Sequence, residues 1–202
     1  MLALSQEIEV VSLEGLIERL SQRFKKKLRE AEWQTFFVEN PFVLRLAFGL
    51  PVMMLGGQIS VGGRRFGGSG DKISDFAVKA AASGNLALVE IKTPETPLLE
   101  TSPYRGELYA PGRELSGAVN QVLEQRYNLQ QNINNLKVTS RLYDVETYAV
   151  QCLVVAGRTP ASPATLKSLE LFRNGLKSVT IVTFDELLAK LEQLLEFLKG
   201  TT

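Results

Sequence analysis

The feature that most constrains the fold is residues 148–156, a nearly continuous apolar run that is rich in valine and ends at Gly157. A strand with apolar side chains on both faces is typical of the interior of a parallel or mixed sheet flanked by helices. The chain before this run has helical patterns followed by the patterns of a strand hairpin. From the long helix before the run to the end of the chain, helical and strand patterns alternate. The sequence therefore predicts an α/β layered domain.

Helices are predicted where apolar residues recur three and four positions apart, and strands where short alternating or apolar runs lie between turn residues. Asn40-Pro41 should end the second helix, and Thr183 and Glu186 form a capping box that starts the last one. We expect an exposed loop over residues 95–113. The predicted helices span residues 7–28, 32–40, 42–48, 114–136, 163–173 and 184–198, and the strands 58–61, 72–79, 86–92, 148–156 and 179–182.

Two residue counts restrict the possible chemistry. The 202 residues include no histidine, which excludes Ser-His-Asp and Cys-His nucleophiles, histidine metal sites and nucleases with a histidine base. A single cysteine, Cys152, excludes internal disulfides and a cysteine zinc cluster. An enzyme of this composition would depend on carboxylates, lysine, amides or hydroxyls, with a metal held through oxygen.

The sequence predicts a soluble, cytoplasmic protein without membrane attachment. Residues 1–10 carry Glu7 and Glu9 and lack the basic start and apolar core of a signal peptide. The uncharged residues 46–63 contain Pro51 and several glycines, which favours turns and a strand over a membrane span.

The candidate site lies on the hairpin of residues 72–92. Strand alternation places Glu90 and Lys92 on one face of a strand whose other face is apolar. If residues 80–85 form the turn, Lys79 pairs with Leu86 and Asp75 lies opposite Glu90 on the same face. The sequence therefore predicts that these two carboxylates and Lys92 converge.

Two opposed carboxylates repel each other unless a cation lies between them. Mg²⁺ prefers oxygen ligands and retains several waters, and the backbone carbonyl of Ile91 could add a further ligand. The neighbouring Lys92 could then orient a water or stabilise charge on a phosphate. The alternative interpretation is an ordinary cross-strand salt bridge between Lys92 and one of the two carboxylates.

Asp75 followed by Glu90-Ile91-Lys92 resembles the PD-(D/E)XK nuclease signature, with Ser74 at the position usually written as proline. More narrowly, several stretches resemble the nuclease domain of the Shedu anti-phage defence proteins, and their order and spacing are together fairly specific. The resemblance covers roughly residues 32–157, through residues 32–41, 73–76, 89–94, 114–121 and 153–157.

The resemblance implies a restriction-endonuclease-like core, a central mixed β-sheet flanked by helices, in residues 31–202, with residues 1–30 as an N-terminal helical extension. It implies Asp75 and Glu90 as ligands of Mg²⁺, with Mn²⁺ as a possible substitute, and Lys92 as the catalytic lysine. A helix carboxylate would complete the metal site, for which Glu32 is the first candidate and Glu39 the second. A glutamine on the helix after the signature would contribute to catalysis, which here is Gln121.

The implied function is a Mg²⁺-dependent DNA endonuclease in phage defence. Two alternatives remain open at this point: a catalytically silent nucleic-acid-binding or sensor module of the same fold, and an RNA or repair nuclease. The sequence does not separate DNA from RNA or nicking from double-strand cutting.

A net charge of +1 means that nucleic-acid binding must depend on a local group of cations. We expect double-stranded DNA as the partner, with its phosphates in contact with cations near the hairpin. The alternative is that the duplex lies along the basic residues 23–29. If each of the four cations named below contacts one phosphate, the slope of log affinity against log salt concentration should be roughly −3 to −4. Such weak binding favours a homo-oligomer. The leucine-rich residues 184–198 are the first surface to test for it, although their first interpretation is core packing and a dimer surface comes second. The nominated cations are Arg64, Arg65, Lys72 and Arg105.

Overall fold

The computed structural model describes residues 2–49, 51–60 and 73–200, which form six helices and seven strands. Most of the predicted elements are confirmed to within a few residues. In chain order the elements are α1 (Leu2–Phe24), α2 (Glu30–Glu39), α3 (Pro41–Arg45), β1 (Val52–Ser60), β2 (Ile73–Ala80), β3 (Asn85–Ile91), β4 (Leu99–Arg105), β5 (Leu108–Pro111), α4 (Arg113–Ser140), β6 (Glu146–Val155), α5 (Pro163–Gly175), β7 (Val179–Val182) and α6 (Phe184–Lys199).

Five of these strands form a central mixed sheet in the order β1-β2-β3-β6-β7. The first three strands are antiparallel neighbours, whereas β6 and β7 join in parallel next to β3. Parallel neighbours need a crossover connection, which the long helix α4 provides between β3 and β6 and α5 provides between β6 and β7. The predicted α/β fold with a central mixed sheet flanked by helices is therefore confirmed.

Two apolar cores cover the faces of this sheet. On one face α4 packs Leu115, Val122 and Leu129 against sheet residues that include Leu88 and Val154. The core on the other face is built from α1, α2 and α6, with an aromatic group at its centre. In that group the ring centroids of Trp33 and Phe184 lie 4.7 Å apart. The inner part of the sheet is thus packed against apolar side chains on both faces.

The first helix shares the core of the rest of the chain. Its residues Leu13, Leu16 and Leu20 are buried in the same core as Trp33 and Leu187. The leucine-rich stripe of α6 lies in that core too, packed against α1, so core packing accounts for it in the structure. The homo-oligomer stays a prediction that this stripe does not support. None of the described helices has the length and apolar character needed to cross a bilayer.

Two sequence expectations need correction. Residues 95–113 are not an irregular loop, because they contain the β4–β5 hairpin; β4 is almost entirely exposed, so no apolar alternation marked it. Strand β6 is buried on both faces only from Cys152 onward. The exposed side chains of Tyr148, Ala149 and Gln151 show that the flanking helices do not cover its first half.

Candidate metal centre

The β2–β3 hairpin positions the two central carboxylates. Its register pairs Lys79 with Leu86 and continues to Phe76 opposite Val89, as the turn length predicts. Asp75 and Glu90 follow at the next position on the two strands, and one Asp75 oxygen (Oδ2) accepts a hydrogen bond of 2.7 Å from the backbone N–H of Ile91. The predicted convergence is therefore present in the structure.

A third carboxylate joins them from α2. Glu30, Asp75 and Glu90 each offer an oxygen, and these oxygens all lie within 4.8 Å of one another. Asp75 and Glu90 are buried, with 8% and 0% of their surface exposed, while the Glu30 side chain is 40% exposed. The group is thus open to solvent on the α2 side and closed beneath by the sheet.

Lys92 neutralises part of this negative charge. Its ammonium nitrogen (Nζ) lies 2.9 Å from Glu90 Oε1 and 3.4 Å from Glu30 Oε2. Burial disfavours the charged lysine, but the neighbouring carboxylates, Glu90 first among them, outweigh it and raise the pKa of Lys92. The neighbouring carboxylates therefore favour the charged form of this ammonium.

The two buried carboxyl groups hold their protons more tightly than usual. Burial raises the pKa of Asp75 to about 7, and the negative charges of Glu90 and Glu30 add to this effect, against the Ile91 N–H and Lys92. Burial also raises the pKa of Glu90, although the Lys92 ammonium opposes the increase. Three carboxylates with one ammonium would carry a net charge of −2 when ionised. A divalent cation with oxygen ligands matches that charge and that donor set.

The carboxylate of α2 in this cluster is Glu30, and the structure does not bring the predicted Glu32 to it. The Glu32 side chain points to another side of α2, where it accepts a hydrogen bond of 2.9 Å from the backbone N–H of Arg29 at the helix start. The second candidate, Glu39, is exposed and lines a cleft between α1 and α2.

The glutamine at the centre is Gln125, one helical turn after the predicted Gln121. Gln125 is buried, and its side-chain amide (Nε2) donates a hydrogen bond of 3.1 Å to Glu90 Oε2, whereas Gln121 is exposed. The apolar stripe of α4 contained this information. Position 125 lies three residues after Val122 and four before Leu129, so it faces the sheet with them.

This chain matches the family described as "Shedu protein SduA, C-terminal" over residues 27–188, a span that includes all the residues of the cluster. It belongs to that Shedu family. The chain is also 34% identical over 177 residues to Shedu protein SduA of Bacillus cereus (strain B4264), which covers 85% of this chain and 47% of the relative. The Shedu resemblance is confirmed, and the chain spans about half the length of that curated relative.

The nominated cations of this Shedu chain and the Ile91 carbonyl remain to be placed. Arg64, Arg65 and Lys72 lie outside the described residues. Arg105 is exposed at the end of β4. In the part of the chain that the structure describes, no hydrogen bond or ion pair joins Arg105 to the carboxylates. The role of the Ile91 carbonyl as a ligand stays a prediction.

If the cluster holds a divalent cation, replacing Glu30 with glutamine should weaken Mn²⁺ binding by at least the roughly 10–100-fold that loss of a group supporting a ligand costs, because it removes one of the three carboxylates. The matched control is Glu32→Gln on the same helix, since glutamine can also complete the capping arrangement at the start of α2. Isothermal titration calorimetry with both variants measures the two affinities. An equal loss of Mn²⁺ affinity in Glu32→Gln would indicate that Glu32 is a metal ligand.

Gln125→Leu should lower any metal-dependent cleavage by about tenfold or more, because the Glu90 carboxylate loses a donor that orients it. Gln121→Leu makes the same chemical change on an exposed face and should leave the rate near that of the unmodified protein. A single-turnover cleavage assay compares them. A stronger effect in Gln121→Leu would contradict the assignment of Gln125.

Proposed function

We propose that this Shedu chain is a metal-dependent nuclease of the PD-(D/E)XK type that hydrolyses phosphodiester bonds in double-stranded DNA. The observation that carries the proposal is the cluster of Glu30, Asp75 and Glu90 with Lys92 beside it. We further propose that it is an endonuclease that serves in anti-phage defence. That step depends on the family and not on the site.

Glu30, Asp75 and Glu90 would hold Mg²⁺, or Mn²⁺ in its place. When bound, such a cation supplies a Lewis acid for a phosphate oxygen and lowers the pKa of a coordinated water. The three carboxylates belong to α2, β2 and β3, so the ligand set exists only in the folded chain. Apolar cores pack the helices against the sheet around these carboxylates. This packing would keep the three side chains in fixed positions.

Lys92 would act on the phosphate. In hydrolysis a water oxygen attacks phosphorus while the bond to the leaving oxygen breaks, and charge shifts among the oxygens around phosphorus. A protonated amine close to the ligands can donate hydrogen bonds to a nonbridging oxygen and stabilise that charge. In the protein as described, the neighbouring carboxylates raise the pKa of Lys92 and so favour this protonated form.

The charge balance argues against an ordinary salt bridge. A structural ion pair needs one carboxylate for one ammonium. Here Lys92 pairs with both Glu90 and Glu30, and the buried Asp75 adds a third carboxyl group to the same cluster. Buried charge without a partner is costly, which is why burial raises the pKa values of Asp75 and Glu90, and a divalent cation would stabilise both groups in their ionised form. The complete set of charged groups also favours an active nuclease over a silent binding module.

The test uses supercoiled plasmid, linear duplex DNA and RNA, each with Mg²⁺, Mn²⁺ or EDTA. We expect cleavage of DNA that requires a divalent cation and is absent in Asp75→Asn and Glu90→Gln. Binding without cleavage under all conditions would favour the silent module, and cleavage of RNA alone would favour an RNA nuclease. Cleavage that persists in EDTA would contradict the metal centre.

A further inference from the structure

A second side-chain amide contacts the centre from the opposite side to Gln125. The side-chain nitrogen of Gln34 (Nε2) donates a hydrogen bond of 2.7 Å to Asp75 Oδ1. The other Asp75 oxygen is held by the backbone N–H of Ile91, also at 2.7 Å. One donor thus comes from the strand beside Asp75 and one from α2, so each oxygen of this carboxylate has its own partner.

These two donors fix a rotation that the aspartate itself leaves free. The terminal torsion of an aspartate has broad preferences, so a carboxylate held at one oxygen can still turn about that bond. A second donor on the other oxygen sets the plane of the group. Each carboxylate oxygen has two lone pairs, so one hydrogen bond to each leaves a lone pair free for a cation.

The same arrangement is present at the partner carboxylate. Glu90 Oε1 accepts from Lys92 and Oε2 accepts from Gln125, at 2.9 Å and 3.1 Å. The two buried carboxylates are therefore each held at both oxygens, one by an amide from α2 and the other by an amide from α4. Core packing does not account for the position of Gln34, because Trp33, Phe36 and Phe37 form the core face of α2.

Gln34 also lies one turn after Glu30 on α2, so a single side of that helix carries a carboxylate of the cluster and the amide that holds Asp75. We propose that Gln34 is a positioning residue that orients the Asp75 carboxylate for a divalent cation. The proposal rests on the metal centre proposed above. Groups that hold metal ligands in place typically contribute 10–100-fold to metal affinity.

The test compares Mn²⁺ affinity in Gln34→Met with that in Gln130→Met. Methionine matches the length and lack of branching of glutamine but cannot donate, and Gln130 is an exposed glutamine on α4. We expect the dissociation constant to rise by roughly 10–100-fold in Gln34→Met and to stay near the original value in Gln130→Met. Thermal unfolding in EDTA should show a folded, cooperative protein in both cases. If Gln34→Met does not fold, Gln34→Asn serves instead, because it keeps an amide but withdraws it by one methylene group.

A double-mutant comparison separates positioning of Asp75 from a general effect on α2. In a Glu30→Gln background, Gln34→Met should still weaken Mn²⁺ binding by about tenfold or more, because it acts on Asp75. Loss of the effect in that background would overturn the proposal and show that Gln34 only places α2. Equal affinity of the unmodified protein and Gln34→Met would overturn it as well. If the unmodified protein binds no Mn²⁺, the metal centre itself is wrong, which is a distinct outcome.

Discussion

Lys92→Met is expected to reduce DNA cleavage by roughly 10²–10⁴-fold, the usual effect of removing a charged group that acts on the reacting phosphate. Methionine retains most of the apolar length of lysine without its charge. Divalent cation binding should persist, because the ammonium is not a ligand and competes with a cation for Glu30 and Glu90. Cleavage rate and Mn²⁺ affinity therefore separate in this variant.

The same substitution should destabilise the protein when no metal is present. Glu90 is fully buried and loses its cation, and removing one partner of a buried ion pair costs roughly 3–5 kcal/mol. Urea unfolding in EDTA and in Mn²⁺ measures this, and the metal should restore most of the stability. The lost activity would then not result from unfolding under assay conditions.

Lys79→Met is the matched control for this prediction. Lys79 lies on the neighbouring strand with a similarly buried side chain, and it forms an ion pair with Asp144 outside the cluster. Its replacement should leave cleavage close to that of the unmodified protein. Loss of Mn²⁺ binding in Lys92→Met, or full cleavage by it, would contradict the role of Lys92.

The metal-free protein is expected to lose stability through Asp75 as the pH rises from about 4 to about 7. The folded state binds the Asp75 proton more tightly than the unfolded chain, because the pKa is about 7 instead of 3.8. Ionisation in this interval therefore favours unfolding. A tenfold change in proton affinity is worth about 1.4 kcal/mol, so the loss is on the order of 4 kcal/mol.

Asp75→Asn should remove this dependence. The free energy of unfolding of the unmodified protein minus that of Asp75→Asn, measured by urea denaturation in EDTA, should fall as the pH rises across that interval. With saturating Mn²⁺ the trend should reverse, because cation binding requires ionised ligands. A difference that is constant with pH would contradict the raised pKa of Asp75.

Asp144→Asn is the control for this second prediction. The ion pair with Lys79 lowers the pKa of Asp144, so this group is ionised in both the folded and the unfolded state above about pH 5. Its replacement should therefore produce no comparable change of stability between pH 5 and pH 7. The contrast separates a buried carboxylate of the cluster from an exposed one.

The sequence alone determined the central part of the site. Asp75 and Glu90 lie on strands joined by a short turn, so the turn length fixes the register and strand alternation fixes the face. Both are local properties of about twenty consecutive residues. For the same reason the main strands and helices were predicted from their periodicity, except β4, whose exposed residues carry no alternation to detect.

Only the tertiary structure decided which helix residues join the site. Glu30 and Glu32 are two residues apart and roughly 200° apart around the helix axis, so the rotation of α2 selects between them. That rotation is set when Trp33, Phe36 and Phe37 pack against α1, α6 and the sheet. The apolar stripe of α4 shows that Gln125 and not Gln121 faces the sheet, but it does not show that this face meets Glu90. That contact depends on packing between residues far apart in the chain, which no local pattern contains.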